Sequence, residues 1–123
     1  MFHLFHQAVT SKHWALSKYL LCPQLQGHAA FHARVAANAL DIVKRELEVA
    51  PTANAEEISR LKELLGREGN LEELNLELCN RIRSGQIALD DPQLKDHLWK
   101  TTLTKLSIDQ PNYSGYRRAI SES

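Results

Sequence analysis

The chain has 123 residues, 15 basic and 15 acidic side chains, and a formal net charge of zero. That length fits one domain with a single core, and a composition of 43% hydrophobic and 24% charged residues excludes a disordered chain. The balance argues against a general nucleic-acid binder, which needs a basic excess to neutralise phosphates. No apolar run reaches the roughly 18 residues that cross a bilayer.

Nearly every segment carries helical periodicity, and no period-two alternation persists. The first predicted helix covers about residues 6–21, with Val9, Trp14, Leu16, Leu20 and Leu21 along one stripe, and Pro23 ends it. The segment before it is apolar but interrupted by His3 and His6, and no basic region precedes it, so no secretory signal is expected.

The second helix, about 28–49, is the longest. Phe31, Val35, Ala39 and Ile42 share a face that Val43 and Leu47 widen, which predicts a central helix against several neighbours. Pro51 is read as its stop signal. A third helix is expected from Asn54 as N-cap, with Ile58, Leu61 and Leu65 inward and the pairs Glu56–Arg60 and Glu63–Arg67 on its surface.

Asn70 and Glu73 have the spacing of a capping box for a fourth helix, whose stripe is Leu71, Leu74, Leu78 and Ile82. Glu72, Glu73 and Glu77 read as its solvated face. Asp91 as N-cap and Pro92 in the first turn start a fifth helix, with Leu94, Leu98, Trp99, Leu103 and Leu106 expected inward. Its Thr101, Thr102 and Thr104 are poor helix formers, expected to bond back to carbonyls or to line a seam against another helix. Beyond Pro111 a loosely ordered tail with a short turn is expected. The resulting prediction is an all-α fold: one domain over 1–123, built as an antiparallel bundle of four to five helices, with residues 1–12 an atypical N-terminal segment and 111–123 a loosely ordered tail.

Chemistry-bearing residues are few. Asn38 falls between Val35 and Ile42 on the apolar face, and Arg34, Asp41 and Arg45 run along its edge. These four form a polar seam, which either satisfies itself and holds helix register or lines a groove for an anionic group or a partner carboxylate. His28 and His32 stand four apart, a spacing that can share a metal. Two ligands do not close a site, so no metal is predicted there. His3, His6 and His13 would join them only if the N-terminus folds back. No nucleophile with its base and orienting group, no glycine-rich phosphate cradle and no cofactor motif is legible. Catalysis is therefore not expected. Cys22 and Cys79 lie far apart and are read as reduced, partly buried thiols of a cytoplasmic protein. The neutral chain lacks colloidal repulsion, which favours a protein partner or self-association, including a homodimer.

Three blocks carry a resemblance. Phe31-His32-Ala33-Arg34-Val35-Ala36-Ala37-Asn38-Ala39-Leu40 with Ile42-Val43-Lys44-Arg45-Glu46-Leu47 is the first. Asn75-Leu76-Glu77-Leu78 with Arg81-Ile82-Arg83-Ser84-Gly85 and Leu89-Asp90-Asp91-Pro92 is the second. Thr102-Leu103-Thr104-Lys105-Leu106-Ser107-Ile108-Asp109-Gln110-Pro111 is the third. In this order, over about residues 15–113, they resemble a small bacterial helical family of unknown function. Its members are commonly encoded beside aminoglycoside- or choline-kinase-like phosphotransferases and acyl-CoA dehydrogenase-like enzymes. The resemblance implies an accessory role beside such an enzyme and supplies no catalytic residues. The sequence expectation is thus a non-catalytic partner-binding protein, with an anion-binding protein or small enzyme built on the polar seam as the alternative.

Overall fold

The computed structural model describes Lys18, Leu20 and residues 22–122. Most of the first predicted helix, and His3, His6 and His13, lie outside the described residues. A 3-10 turn, Cys22–Gln24, is followed by four α-helices: α1 (Gly27–Leu65), α2 (Leu71–Arg83), α3 (Pro92–Asp109) and α4 (Ser114–Ser121). Among the described residues there is no strand. No described helix is long and apolar enough to cross a membrane.

The predicted second and third helices are one. Pro51 lies inside α1, and Asn54 is an interior residue. A proline removes one ladder bond and crowds the carbonyl four residues back, and the 39-residue helix absorbs that loss. The contacts divide the chain into two compact units, one ending at Val49 and the other beginning at Ala50.

The second unit is built on leucines. Leu61, Leu65, Leu74, Leu78 and Leu94 form a buried cluster, with Ile58, Leu64, Leu71, Ile82 and Ile87 packed on it. Leu61, Leu74 and Leu94 have essentially no exposed surface. The stripes expected on residues 58–65 and on α2 are therefore the ones that pack. Gly66, at a left-handed φ of 64°, ends α1. Gly85, at φ 74°, turns the chain after α2. The capping box is present: Asn70 Oδ1 accepts from the Glu73 N–H at 2.9 Å, and the Asn70 N–H donates to Glu73 Oε2 at 3.0 Å. Arg81 on α2 donates to the Leu65 carbonyl at 2.9 Å and to Glu77 at 2.7 Å, which satisfies one open C-terminal carbonyl of α1. The acidic face of α2 is thus partly engaged, since Glu77 also meets Arg67 at 3.7 Å. That contact takes the place of the expected Glu63–Arg67 pair.

α3 starts as its sequence dictates, with the Asp91 carboxylate accepting from the Gln93 and Leu94 N–H groups at 2.8 and 3.0 Å. Its inward face differs from the predicted one. The buried residues are Leu94, His97 and Ile108, whereas Leu98 and Trp99 are 47% and 53% exposed. Apolar residues occur on several sides of α3, so periodicity alone could not choose between them. Beyond Pro111, where a loose tail is expected, α4 forms two helical turns.

In the first unit, α1 buries only small side chains outright, Ala30 and Ala37. Leu40, Asp41, Lys44 and Leu47 lie half-buried along the same side.

Candidate functional site

At 100° per residue, the side of α1 opposite Ala30 and Ala37 is the predicted apolar stripe. That stripe faces outward: Phe31 is 56% and Val35 51% exposed. Ala39 and Val43 are exposed with them, and Ile42 is half-buried. Asn38 sits among them as the spacing requires, but it is exposed rather than enclosed in a core. The polar seam is therefore not sealed inside the molecule. Arg34 is exposed, while Asp41 and Arg45 are half-buried. Asp41 accepts an ion-paired hydrogen bond from Lys18. The four seam residues line neither of the two recesses described below.

His28 and His32 are both exposed. The His32 ring meets Phe31 edge-on, with centroids 5.6 Å apart. Among the described residues no group of three His, Cys, Asp or Glu side chains could hold a metal ion. Cys79 is a free thiol and exposed, where partial burial was expected.

The second unit holds a cleft whose residues the sequence pattern does not single out. Leu94, His97, Thr101, Thr104 and Ile108 recur at spacings of three and four along α3, and this stripe, polar in its middle, is the covered one. It brings His97 beside Arg60 of α1. The Arg60 Nη2 donates to Thr101 Oγ1 at 3.4 Å, so one of the threonines works as the seam residue its position suggested. Thr102 Oγ1 instead bonds back to the Leu98 carbonyl at 2.7 Å.

Among the described residues, two buried side-chain polar atoms meet no hydrogen-bond partner: Arg60 Nε and His97 Nδ1. Each such group costs about 1–3 kcal/mol unless something satisfies it. Both residues line an open cleft of about 310 Å³, together with Glu63, Leu64, Pro92, Gln93 and Asp96. His97 is 3% exposed. Burial holds its imidazole below the usual histidine range, the Arg60 charge adds to the effect, and Glu57 and Asp96 pull the other way. The ring is accordingly neutral at pH 7 and serves as a hydrogen-bonding group. The signal in the sequence was the histidine at the centre of a Leu–His–Thr–Thr–Ile helical stripe. A more apolar stripe alongside, through Leu98, Trp99 and Leu103, outweighs it in the sequence.

A second, shallow recess of about 510 Å³ lies between Trp99 and α4, lined also by Tyr113 and Arg118. Neither of the two orphaned polar atoms faces it.

A family model described as "Domain of unknown function (DUF6285)" matches residues 23–113. No curated protein and no solved structure matches the chain.

Proposed function

The chain belongs to the DUF6285 family of domains of unknown function, and from its own surface we propose that it is a non-catalytic, partner-binding helical protein whose partner is a second copy of itself. The supporting observation is the apolar stripe on α1, exposed at Phe31, Val35 and Asn38 and half-buried from Ile42 on. Phe31, Val35, Asn38, Ile42, Arg45 and Val49 alternate spacings of four and three, the repeat of a coiled-coil seam. Such a seam stays aligned with a partner helix along its length, and a polar asparagine within it specifies register by pairing across the interface.

Charge favours an antiparallel pairing. Between Gly27 and Asn38 the helix carries Arg34 and two histidines and no acid. All its acids up to Val49 follow Asn38: Asp41, Glu46 and Glu48. That half also carries Lys44 and Arg45, so its excess is a single acid; a two-fold, antiparallel arrangement sets it against the basic half of the other copy, whereas a parallel one sets like against like. The zero net charge removes long-range repulsion between copies. The exposed free thiol of Cys79 suits a reducing, cytoplasmic setting.

Sedimentation velocity over a micromolar concentration series tests this reading. The wild-type chain is expected to shift from monomer toward dimer, and Val35→Asp to remain monomeric with unchanged helix content. A wild-type chain that stays monomeric into the hundreds of micromolar sinks the proposal. If that monomer binds a kinase-like or acyl-CoA enzyme through the same face, the accessory role survives with a different occupant.

A further inference from the structure

We propose that the cleft between Arg60 of α1 and the start of α3 is a binding site for a small monocarboxylate. One carboxylate oxygen accepts from the Arg60 Nε–H and the other from the His97 Nδ1–H, and the stem lies against Leu64 and Pro92. Burial, shape and charge carry this. Arg60 and His97 line the same cleft, and Arg60 Nε and His97 Nδ1 are buried with no hydrogen-bond partner among the described residues. A guanidinium N–H is always a donor, so the group that satisfies it is an acceptor, and an anionic oxygen is the strongest kind. The cleft of about 310 Å³ is at the small end of ligand sites, which admits a short molecule and not a nucleotide.

Charge narrows the class further. Glu63 and Asp96 stand at the same opening. Asp96 pairs with Lys100 at 2.7 Å, while Glu63 at the opening and Glu57 near His97 stand against Arg60. These acids repel a doubly charged phosphate more than a single carboxylate held by both donors. His97 completes the fit, because a neutral imidazole with its proton on Nδ1 donates to a carboxylate without becoming charged. The site lies wholly in the second unit and shares no residue with the α1 stripe proposed for self-association, so either proposal can fail alone.

Sodium butyrate, titrated into the full chain at constant ionic strength, is the probe, with butyramide as the uncharged isostere. The readout is the imidazole NMR signal of His97, assigned by its loss in His97→Gln. Millimolar butyrate is expected to shift that signal saturably, and butyramide is not. Arg60→Gln should weaken the butyrate effect by roughly tenfold or more, the worth of one strong hydrogen bond, with helix content retained. Should Arg60→Gln fail to fold, Gln93→Trp decides, since Gln93 is exposed at the cleft mouth and a bulky ring there blocks entry without touching the leucine core. No saturable shift at His97, an equal response to butyramide, or undiminished binding in the folded variant overturns the proposal.

Discussion

His97 shows how one residue couples packing to pH. Its burial beside Arg60 lowers its pKa from 6.5. The unfolded chain therefore takes up this proton as pH falls below 6.5, while the folded chain does not. The histidine's contribution to stability is intact above 6.5 and is lost as pH falls toward the folded-state value. Urea unfolding between about pH 7.5 and 5 should show stability declining by no more than about 1.4 kcal/mol per unit from this group, and the slope should flatten in His97→Gln. An unchanged slope in the variant would show that other groups carry the acid sensitivity. Asn70 acts on a smaller scale. Its side chain and backbone close two reciprocal bonds with Glu73. Asn70→Ala is expected to cost about 1 kcal/mol in chemical denaturation, with no change at the Arg60–His97 cleft.

At the level of elements, α1 and α3 depart from the sequence expectation for opposite reasons. In α1 a strong local stop signal yields: Pro51 sits inside a 39-residue helix. The proline still removes one backbone hydrogen bond. Pro51→Ala should therefore stabilise the protein by about 1–2 kcal/mol, the helix-interior penalty less the entropy that alanine returns to the unfolded chain. A urea midpoint that falls on this substitution would mean that the proline conformation itself is required. In α3 the local signal is ambiguous. Leu98, Trp99 and Leu103 offer one apolar face and Leu94 and Ile108 another, and the leucine cluster takes Leu94. That choice rotates His97 inward and Trp99 outward.

At the scale of the molecule, the two units bury themselves differently. The second has a leucine core. The first buries two alanines on α1 and leaves Phe31 and Val35 about half exposed on the opposite side. A charge-neutral protein that presents such a stripe at heptad spacing gains most by covering it. If the self-association of the proposed function occurs, it should persist at about 0.5 M salt, where the Debye length falls to a few ångströms and surface ion pairs are screened. Apolar burial is not screened. Loss of the dimer in salt with no effect of Val35→Asp would point to a purely ionic contact instead.

The all-helical class, the capping box at Asn70 and Glu73, the start of α3 at Asp91 and the inward stripes at 58–65 and on α2 were legible in the sequence. Each depends on residues within one or two turns of one another, where backbone hydrogen bonding and side-chain period leave little choice. The apolar face of α1 and the place of Asn38 upon it were legible too; its outward orientation was not. Periodicity says which residues share a face, whereas which face is covered depends on the volume and position of distant segments. The same limit hid the cleft. Arg60 and His97 are 37 positions apart, and only the packing of α3 onto the leucines of α1 and α2 brings the two residues to one cleft.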